Sequence, residues 1–434
     1  MDWKVIYNER IVSAQEAVTH IKSKDYVVIG HGTGEPITLT KAMVDNYAKY
    51  EKVMTMHMVD FGEQAYCRQG MEKHFIHNSF FCGKNTRDAI NEGRGVFTPA
   101  FLSEVPRFFS EGRIKIDVAL IQVSPPDQHG YCSYGTSVDY TKAASENAKI
   151  VIAEVNKKMP RTLGNCFIHV SKIDYIVETD RPQIMTPNVV IDDDDRIIGE
   201  YCASMIEDGS TIQLGIGSMP DAVALFLKNK KDLGIHTELM SEAMIELIET
   251  GAVTGKKKTI HNGKIVATCL FGTQRLYDYV NDNPMIEMHP SDYTNDPRVI
   301  AQNYKMVSIN GCIQIDLMGQ SASETIGYRQ YSGTGGQNDY MRGIALTRDG
   351  KAILCMKSTA KRHTISRIVS ILDEGSAVTN LRNDIHYVVT EYGIADLKAK
   401  TLPERAKALI EIAHPKFRDE LKEVYEQRFF KRYE

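Results

Sequence analysis

The carboxylate that stands out in this sequence is Glu238, in the stretch GIHTELMSEAMIELIETG (234–251). Ser241 can cap a helix whose apolar stripe is Ala243, Met244, Leu247 and Ile248 and whose end is Gly251. Glu242, Glu246 and Glu249 fall mostly off that stripe and read as solvated charges. Glu238 precedes the helix, between His236 and the apolar pair Leu239-Met240. A carboxylate so placed is either partly buried or directed into a cleft, and both settings perturb its acidity. By residue type alone two roles stay open: a loop or capping side chain, which is the commoner use, or a nucleophile.

Two glycine-rich turns are candidates for binding. Gly215-Ile216-Gly217 ends the strand-like STIQLGIG and precedes the helix-like PDAVALFLKN. Such a turn presents backbone N–H groups to an anion. It is no dinucleotide fingerprint, because Pro220 stands where the third glycine belongs and no acidic residue closes a following strand. YSGTGGQNDYMRG (331–343) sets three glycines within four positions, beside Gln337 and Asp339. Glycine lets the backbone approach a ligand closely; a surface turn and a ligand loop are equally open. In SPPDQHGYCSYGTSVDY (124–140), Pro125-Pro126 and Gly130 fix a tight turn after an apolar strand. His129 in that turn, like His31 and His57 near strand ends, reads as structural. The chain lacks a G-x-S-x-G elbow, an H-E-x-x-H pair and a Walker A loop.

These groups need a scaffold, and the apolar pattern supplies it. DYVVIG (25–30), VMTMHMV (53–59), DVALIQVS (117–124), KIVIAEVN (149–156) and DYIVET (174–179) read as strands. Helical patterns separate them, one of them opened by Ser13 and Glu16 and carrying Ala17, Val18 and Ile21 on one face. Alternation of this kind predicts a parallel or mixed sheet with helices on both faces. Residues 180–196 (DRPQIMTPNVVIDDDDR) carry two prolines and an aspartate cluster and read as a linker. The pattern then restarts with a helix (RIIGEYCASMIEDG), a strand and a glycine turn, so STIQLGIGSMP echoes DYVVIGHGTGEP. We expect two related α/β domains, residues 1–183 and 197–434 joined by 184–196, with Glu238 in the second and the active site in the cleft between them.

A chain of 434 residues suits two cores of about 200 residues each. With 52 Lys+Arg against 56 Asp+Glu the net charge is −4, so no basic excess points to a nucleic-acid surface, while a local basic pocket for a phosphate-bearing ligand stays open. The amino terminus MDWKVIYNERIVSAQEAV has no apolar core of a secretory signal. No run approaches the roughly 18 apolar residues of a membrane span, so a cytoplasmic protein is expected. The eight cysteines are scattered singly, which predicts reduced buried thiols, no disulfide and no metal site.

Together, SPPDQHGYCSYGTSVDY, STIQLGIGSMPDAV, GIHTELMSEAM, YSGTGGQNDYMRG and TEYGIADLKAKTLPERAKALIEIAHPKFRDEL resemble the acetyl-CoA hydrolase/transferase family, most closely its 4-hydroxybutyrate CoA-transferases. These stretches follow the family's order over almost the whole chain. The resemblance implies two open α/β domains of the NagB/RpiA/CoA-transferase-like type in tandem, with the active site at their interface. It implies exchange of CoA between an acyl-CoA and a short-chain carboxylate, with 4-hydroxybutyrate foremost and butyrate, propionate or acetate open. Acetyl-CoA hydrolysis through the same intermediate and an inactive CoA-binding protein are the rivals. No cofactor is permanently bound; CoA is substrate and covalent partner, and a homodimer is expected. By resemblance Glu238 is the catalytic glutamate that becomes a glutamyl-CoA thioester. Gly215, Ile216, Gly217, Ser218 and Met219 match the loop against CoA, with the Ile216 amide an oxyanion donor. Gly335 and Gly336 match the second loop and the partner donor, and Lys361 in KSTAK matches a CoA-contacting lysine. Asn295, Gln337 and Glu391 resemble residues at the substrate end.

Overall fold

In the computed structural model, which describes residues 2–186 and 189–433, the apolar runs become two parallel sheets. The first contains β1 (Tyr26–Ile29), β2 (Val53–His57), β3 (Phe75–Ser79), β4 (Gly95–Phe97), β5 (Ile116–Val123), β6 (Ala148–Asn156) and β7 (Tyr175–Thr179). Their order is β4-β3-β2-β1-β5-β6-β7. Val27 of β1 faces Thr55 of β2 on one side and Val118 of β5 on the other, both in parallel register. Both faces are covered, so the strands are apolar almost throughout. The strand period of two separates the faces. Val27 and Ile29 pack with Leu39 and Met43 of helix α1 (Ile37–Asp45), while Val28 packs with Met56, Phe80 and Phe109. All five strands read from this part of the sequence are present. β3 and β4 were not read, because FIHNS mixes polar residues into its apolar start and GVF is only three residues long.

The second sheet follows helix α2 (Asp193–Ser204). It contains β8 (Thr211–Leu214), β9 (Gly234–Ile235), β10 (Met306–Gly311), β11 (Lys351–Cys355), β12 (Tyr387–Thr390) and β13 (Gly393–Asp396), in the order β9-β8-β10-β11-β12-β13. Only the β12–β13 pairing is antiparallel. The chain passes from β8 to β9 on one side and later to β10 on the other, so the strand order reverses at β8. Ligands of open α/β sheets bind at the carboxyl ends of strands beside such a reversal. Met306, Ala352, Leu354 and Val388 form the core of this unit with Tyr340 and Met341 of α4 and Leu409 and Ile410 of α5. Here α3 is Ser218–Leu227, α4 Gln337–Ala345, α5 Leu402–Glu411 and α6 Pro415–Phe429.

The two units are interleaved along the chain. One is Met1–Pro187, Glu238–Glu242 and Lys264–Asn295; the other is Asn188–Thr237, Ala243–Gly263 and Asp296–Glu434. Two α/β bodies were expected, but the sequence-based division at 183 and 197 differs in placing Glu238 with the second. The reason is a short strand, Leu239–Ser241, that pairs in parallel with Cys269–Phe271 and packs with the first unit. The run 180–196 also differs from a linker. Gln183 is buried and donates to Thr33 O at 2.8 Å. Asp192 and Asp195 form a reciprocal capping box at the start of α2, where acidic groups suit the positive end of the helix. Residues 187 and 188 of that run lie outside the described residues. All eight cysteines are free and buried, as read. Among the described residues no helix is long and apolar enough to cross a membrane.

Candidate active site

Glu238 begins the Leu239–Ser241 strand, and its backbone is fixed before its side chain is. Its carbonyl accepts from the amides of Thr268 (3.0 Å) and Cys269 (3.1 Å). The paired strand is itself docked on residues 136–138: Leu270 N donates to Thr136 O at 2.8 Å, and Val138 N to Thr268 O at 3.1 Å. Thr33 adds a hydroxyl bond to Leu270 O at 2.7 Å. Leu239, Cys269 and Phe271 form an apolar cluster with Val59 and Phe61, whose ring meets Phe271 edge-on at 5.0 Å. Gly32 has φ +56, and a Cβ there would fall 2.4 Å from the Phe271 ring, so only glycine lets this ribbon settle. The stretch SPPDQHGYCSYGTSVDY thus acts as the seat for the ribbon that carries Glu238.

The Glu238 side chain is half-buried. Asn295 Nδ2 donates to its Oε2 at 2.8 Å. Asn295 is fully buried and ends the short helix Ser291–Thr294, whose Ser291 hydroxyl is tied to Leu102 O at 3.0 Å. A rigid neutral amide therefore aims the carboxylate without adding a charge. Glu242 is no solvated charge, contrary to its reading: its carboxylate accepts from the Thr273 amide at 3.1 Å and the Thr273 hydroxyl at 2.6 Å.

His31, His57 and His129 sit in three different settings. His31 Nδ1 meets Asp139 Oδ2 at 2.9 Å in full burial. Burial pushes the Asp139 carboxyl up, but His31, Ser137 and the Tyr140 amide outweigh it and hold it below the ordinary carboxylate range. His57 is buried and pushed down, mainly by desolvation. His129 sits in an exposed turn, with its amide on Asp127 at 2.8 Å.

In the second unit both glycine turns are tied to the carboxyl end of β10, beside the strand reversal. Gly215 N donates to Ile309 O of β10 at 3.0 Å, and Gln337 Nε2 donates to Gly311 O at the end of β10 at 2.9 Å. Gln337 therefore pins the loop that holds Gly335 (φ +55) and Gly336. Gly217 has φ +116, and a Cβ there would touch nothing within 4 Å. Ile216 is 57% exposed, unusual for a large apolar residue. Ser218 and Met219 open α3, and among the described residues no side chain caps this helix start. The corresponding turn of the first unit is filled: Thr38 N in the first turn of α1 donates to the fully buried Glu154 at 2.9 Å, and Arg181 backs that carboxylate. The first turn is thus closed by a carboxylate of its own chain, whereas the start of α3 has no side-chain cap.

Lys361 and Glu391 are linked through one residue. The Glu391 carboxylate accepts from the Ser358 amide at 2.8 Å and from its hydroxyl. It thereby anchors the hairpin whose exposed tip carries Lys361. Gln213 and Asn310, which the sequence reading passed over, exchange amide bonds at 3.2 and 3.0 Å across β8 and β10 just beneath the Gly215 turn. Their signal was a polar amide inside an otherwise apolar strand.

Residues 1–187 match the acetyl-CoA hydrolase/transferase N-terminal domain, and residues 272–425 match the C-terminal domain. The 4-hydroxybutyrate coenzyme A transferase of Clostridium kluyveri is 55% identical over 99% of this chain and 100% of its own. The succinyl-CoA:cyclohexane-1-carboxylate CoA transferase of Geobacter metallireducens is 43% identical over 96% of this chain and 95% of its own. The crystal structure of a 4-hydroxybutyrate CoA-transferase from Porphyromonas gingivalis is 42% identical, with a TM-score of 0.86 over 99% of this chain and 100% of that one. With both domain models met in tandem and likeness that runs from end to end, the chain belongs to the acetyl-CoA hydrolase/transferase family.

Proposed function

We propose that this protein moves CoA between an acyl-CoA and a short-chain carboxylate, with 4-hydroxybutyrate as the leading acid, through a glutamyl-CoA thioester on Glu238. The observation that carries the reading is the 2.8 Å bond from Asn295 to Glu238 Oε2. A glutamate aimed by a buried neutral amide is a positioned nucleophile. It attacks the thioester carbonyl, giving a mixed anhydride and CoA thiolate. The thiolate attacks the glutamyl carbonyl, leaving glutamyl-CoA and the first carboxylate. The second carboxylate then reverses both steps and leaves as its CoA thioester. No proton is consumed.

Carboxylate is the right nucleophile here, since glutamyl and substrate acyl groups are nearly equal in energy. Each addition develops an oxyanion, for which the Ile216 amide and the Gly335-Gly336 loop are the donors in this reading; one such donor is worth about 3–4 kcal/mol. Gly215 to Met219 and Lys361 then bind CoA, and Gln337 and Glu391 hold the parts that do so in place. A homodimer in the cytoplasm completes the proposal, and light scattering checks the dimer.

The test is acyl exchange with a panel of carboxylates against butyryl-CoA. Ping-pong kinetics are expected, with Glu238→Gln inactive and hydroxylamine inactivating the wild type only after acyl-CoA is added. CoA release at the full rate without any carboxylate acceptor would replace transfer by hydrolysis.

A further inference from the structure

The amino-terminal edge of the second sheet lies opposite the glycine turns and carries none of the candidate site residues. The loops that enter β8, β9, β10 and β11 are tied to one another there. Gly209 N donates to Lys231 O, and Lys231 N to Asp208 Oδ1, both at 2.9 Å. Thr211 N donates to Lys305 O at 3.3 Å, and Lys305 N to Arg348 O at 3.3 Å. The loop after residue 253 joins them: the Thr254 hydroxyl donates to Asp232 at 2.9 Å, and Tyr304 N to Thr259 Oγ1 at 3.1 Å. Among these loops lies a cavity of about 260 Å³, whose walls carry Lys231, Lys257 and Lys305 beside Asp208, Asp232 and Tyr304. At about 3.3 Å per residue, the four residues of β8 set this cavity about 13 Å from the Gly215 turn.

The acids of these loops are already engaged. Asp208 accepts from the Lys231 amide and Asp232 from Thr254. Asp349 accepts from the Tyr304 hydroxyl at 3.2 Å and has Arg348 at 3.8 Å. Glu207 is shared by Lys305 at 2.6 Å and Lys351 at 3.0 Å. Two lysines are engaged as well. Lys228 pairs with Glu246 at 2.7 Å, and the buried Lys258 turns inward to donate to Ile235 O at 2.9 Å. Lys230, Lys231, Lys256 and Lys257 remain, and among the described residues none of the four has an ion-pair partner. Without Lys228 and Lys258, the loops still set seven cations against four acids, in a chain whose net charge is −4.

A concave site with one sign in excess concentrates ions of the other sign. Lysines bind phosphate as point charges, so several charges on one small anion can bridge cations that stand on separate loops. We infer that this cavity binds a small anion of two or three linked phosphates, with Lys231 and Lys257 as its principal partners. Its occupant joins the entries of β8, β9 and β10, and therefore stabilises the folded chain by mass action. The inference does not depend on the transferase reading, whose groups lie at the other end of the strands.

The test is calorimetric titration at constant ionic strength with pyrophosphate, tripolyphosphate, ADP and orthophosphate. Wild type is compared with the double variant Lys231→Glu/Lys257→Glu. The control is Lys157→Glu/Lys172→Glu, an equal change of charge on exposed lysines of the first unit. Wild type binds pyrophosphate and tripolyphosphate one-to-one, and its melting temperature rises with either. The first variant binds them about ten-fold more weakly or worse, yet keeps the wild-type kcat/KM for butyryl-CoA. The control binds as wild type does. ADP tighter than pyrophosphate makes a nucleotide the source of the phosphates; equal affinity makes it the free anion. Lys231 and Lys257 are exposed, so their substitution leaves the fold intact. The site is overturned by a wild type without saturable binding, by orthophosphate binding as tightly as pyrophosphate, or by equal losses in the two double variants. A KM for butyryl-CoA that rises in the first variant alone also overturns it, because the cavity would then serve CoA. A wild type that binds pyrophosphate but exchanges no CoA supports this site and overturns the transferase reading instead.

Discussion

Glu238 and Asn295 stand 57 positions apart in the chain and meet through one hydrogen bond. A hydrogen bond to a charged group contributes about 1.5–3 kcal/mol. If that bond orients the nucleophile, Asn295→Ala lowers kcat about ten- to a hundred-fold while the KM for acyl-CoA moves little, as steady-state kinetics will show. Asp60 offers a different residue-scale test. It is buried, and desolvation followed by the nearby Glu35 pushes its carboxyl up to about 6 from 3.8. A Cβ on Gly83 would fall 1.7 Å from Asp60 Oδ1, so the carboxyl is closely covered. The folded state holds this proton more tightly than the unfolded chain does. The stability it contributes is therefore full below about pH 4 and is lost as pH rises through about 6. Asp60→Asn keeps a neutral group of the same shape. Thermal melts should show the variant more stable than wild type at pH 8, by up to about 3 kcal/mol, and equal to it near pH 4.

At the scale of elements, α5 is secured by a side chain that local pattern does not reveal. Arg405 is buried and donates to the carbonyls of Met318 (3.1 Å), Leu397 (2.8 Å) and Arg382 (2.6 Å). Gly319, at φ +80, makes room, since a Cβ there would lie 2.4 Å from the guanidinium. An ammonium cannot serve three carbonyls in that planar fork. Arg405→Lys leaves buried acceptors unpaired at about 1–3 kcal/mol each, so its melting temperature should fall by roughly 5–10 °C. The β8–α3 turn gives the opposite profile. Gly217→Ala meets no atoms but must hold φ +116, a strain of order 1–3 kcal/mol confined to the turn. Its kcat/KM for acyl-CoA should drop about ten-fold with little change in melting temperature. The turn's glycines were legible in the sequence because a strand, two glycines and a helix follow each other locally. The Arg405 cage was not, because its acceptors come from three separate segments.

For the whole molecule, acid stability follows from histidines buried neutral in both units. His77 in the first is pushed down to about 3, by burial and then by His57. His386 in the second is pushed down to about 4, mainly by burial, and its Nδ1 accepts from the Ala352 amide at 3.3 Å. The unfolded chain binds these protons more readily, near 6.5. The stability is full above that value and is lost progressively as pH falls from about 6.5 towards 4 and 3. Urea unfolding at pH 7 and pH 5 should show lower stability at pH 5. Replacing His386 by Gln should reduce the slope of that loss.

The amino-acid sequence by itself determined what short-range physics controls. Apolar runs bounded by turns marked five strands of the first sheet and β8 of the second, and glycines marked where the backbone turns. It also placed Glu238 ahead of a helix and beside an apolar pair. The tertiary structure decided what depends on closing long loops. It put Glu238 with the first unit, because Leu239–Ser241 found its partner in Cys269–Phe271 and its seat on residues 136–138. It turned the aspartate run at 192–195 from linker into helix cap, and Glu391 into the anchor of the Lys361 hairpin. Hydrogen bonds between residues far apart in sequence leave no periodic trace, so only the folded chain could reveal which amide meets the Glu238 carboxylate.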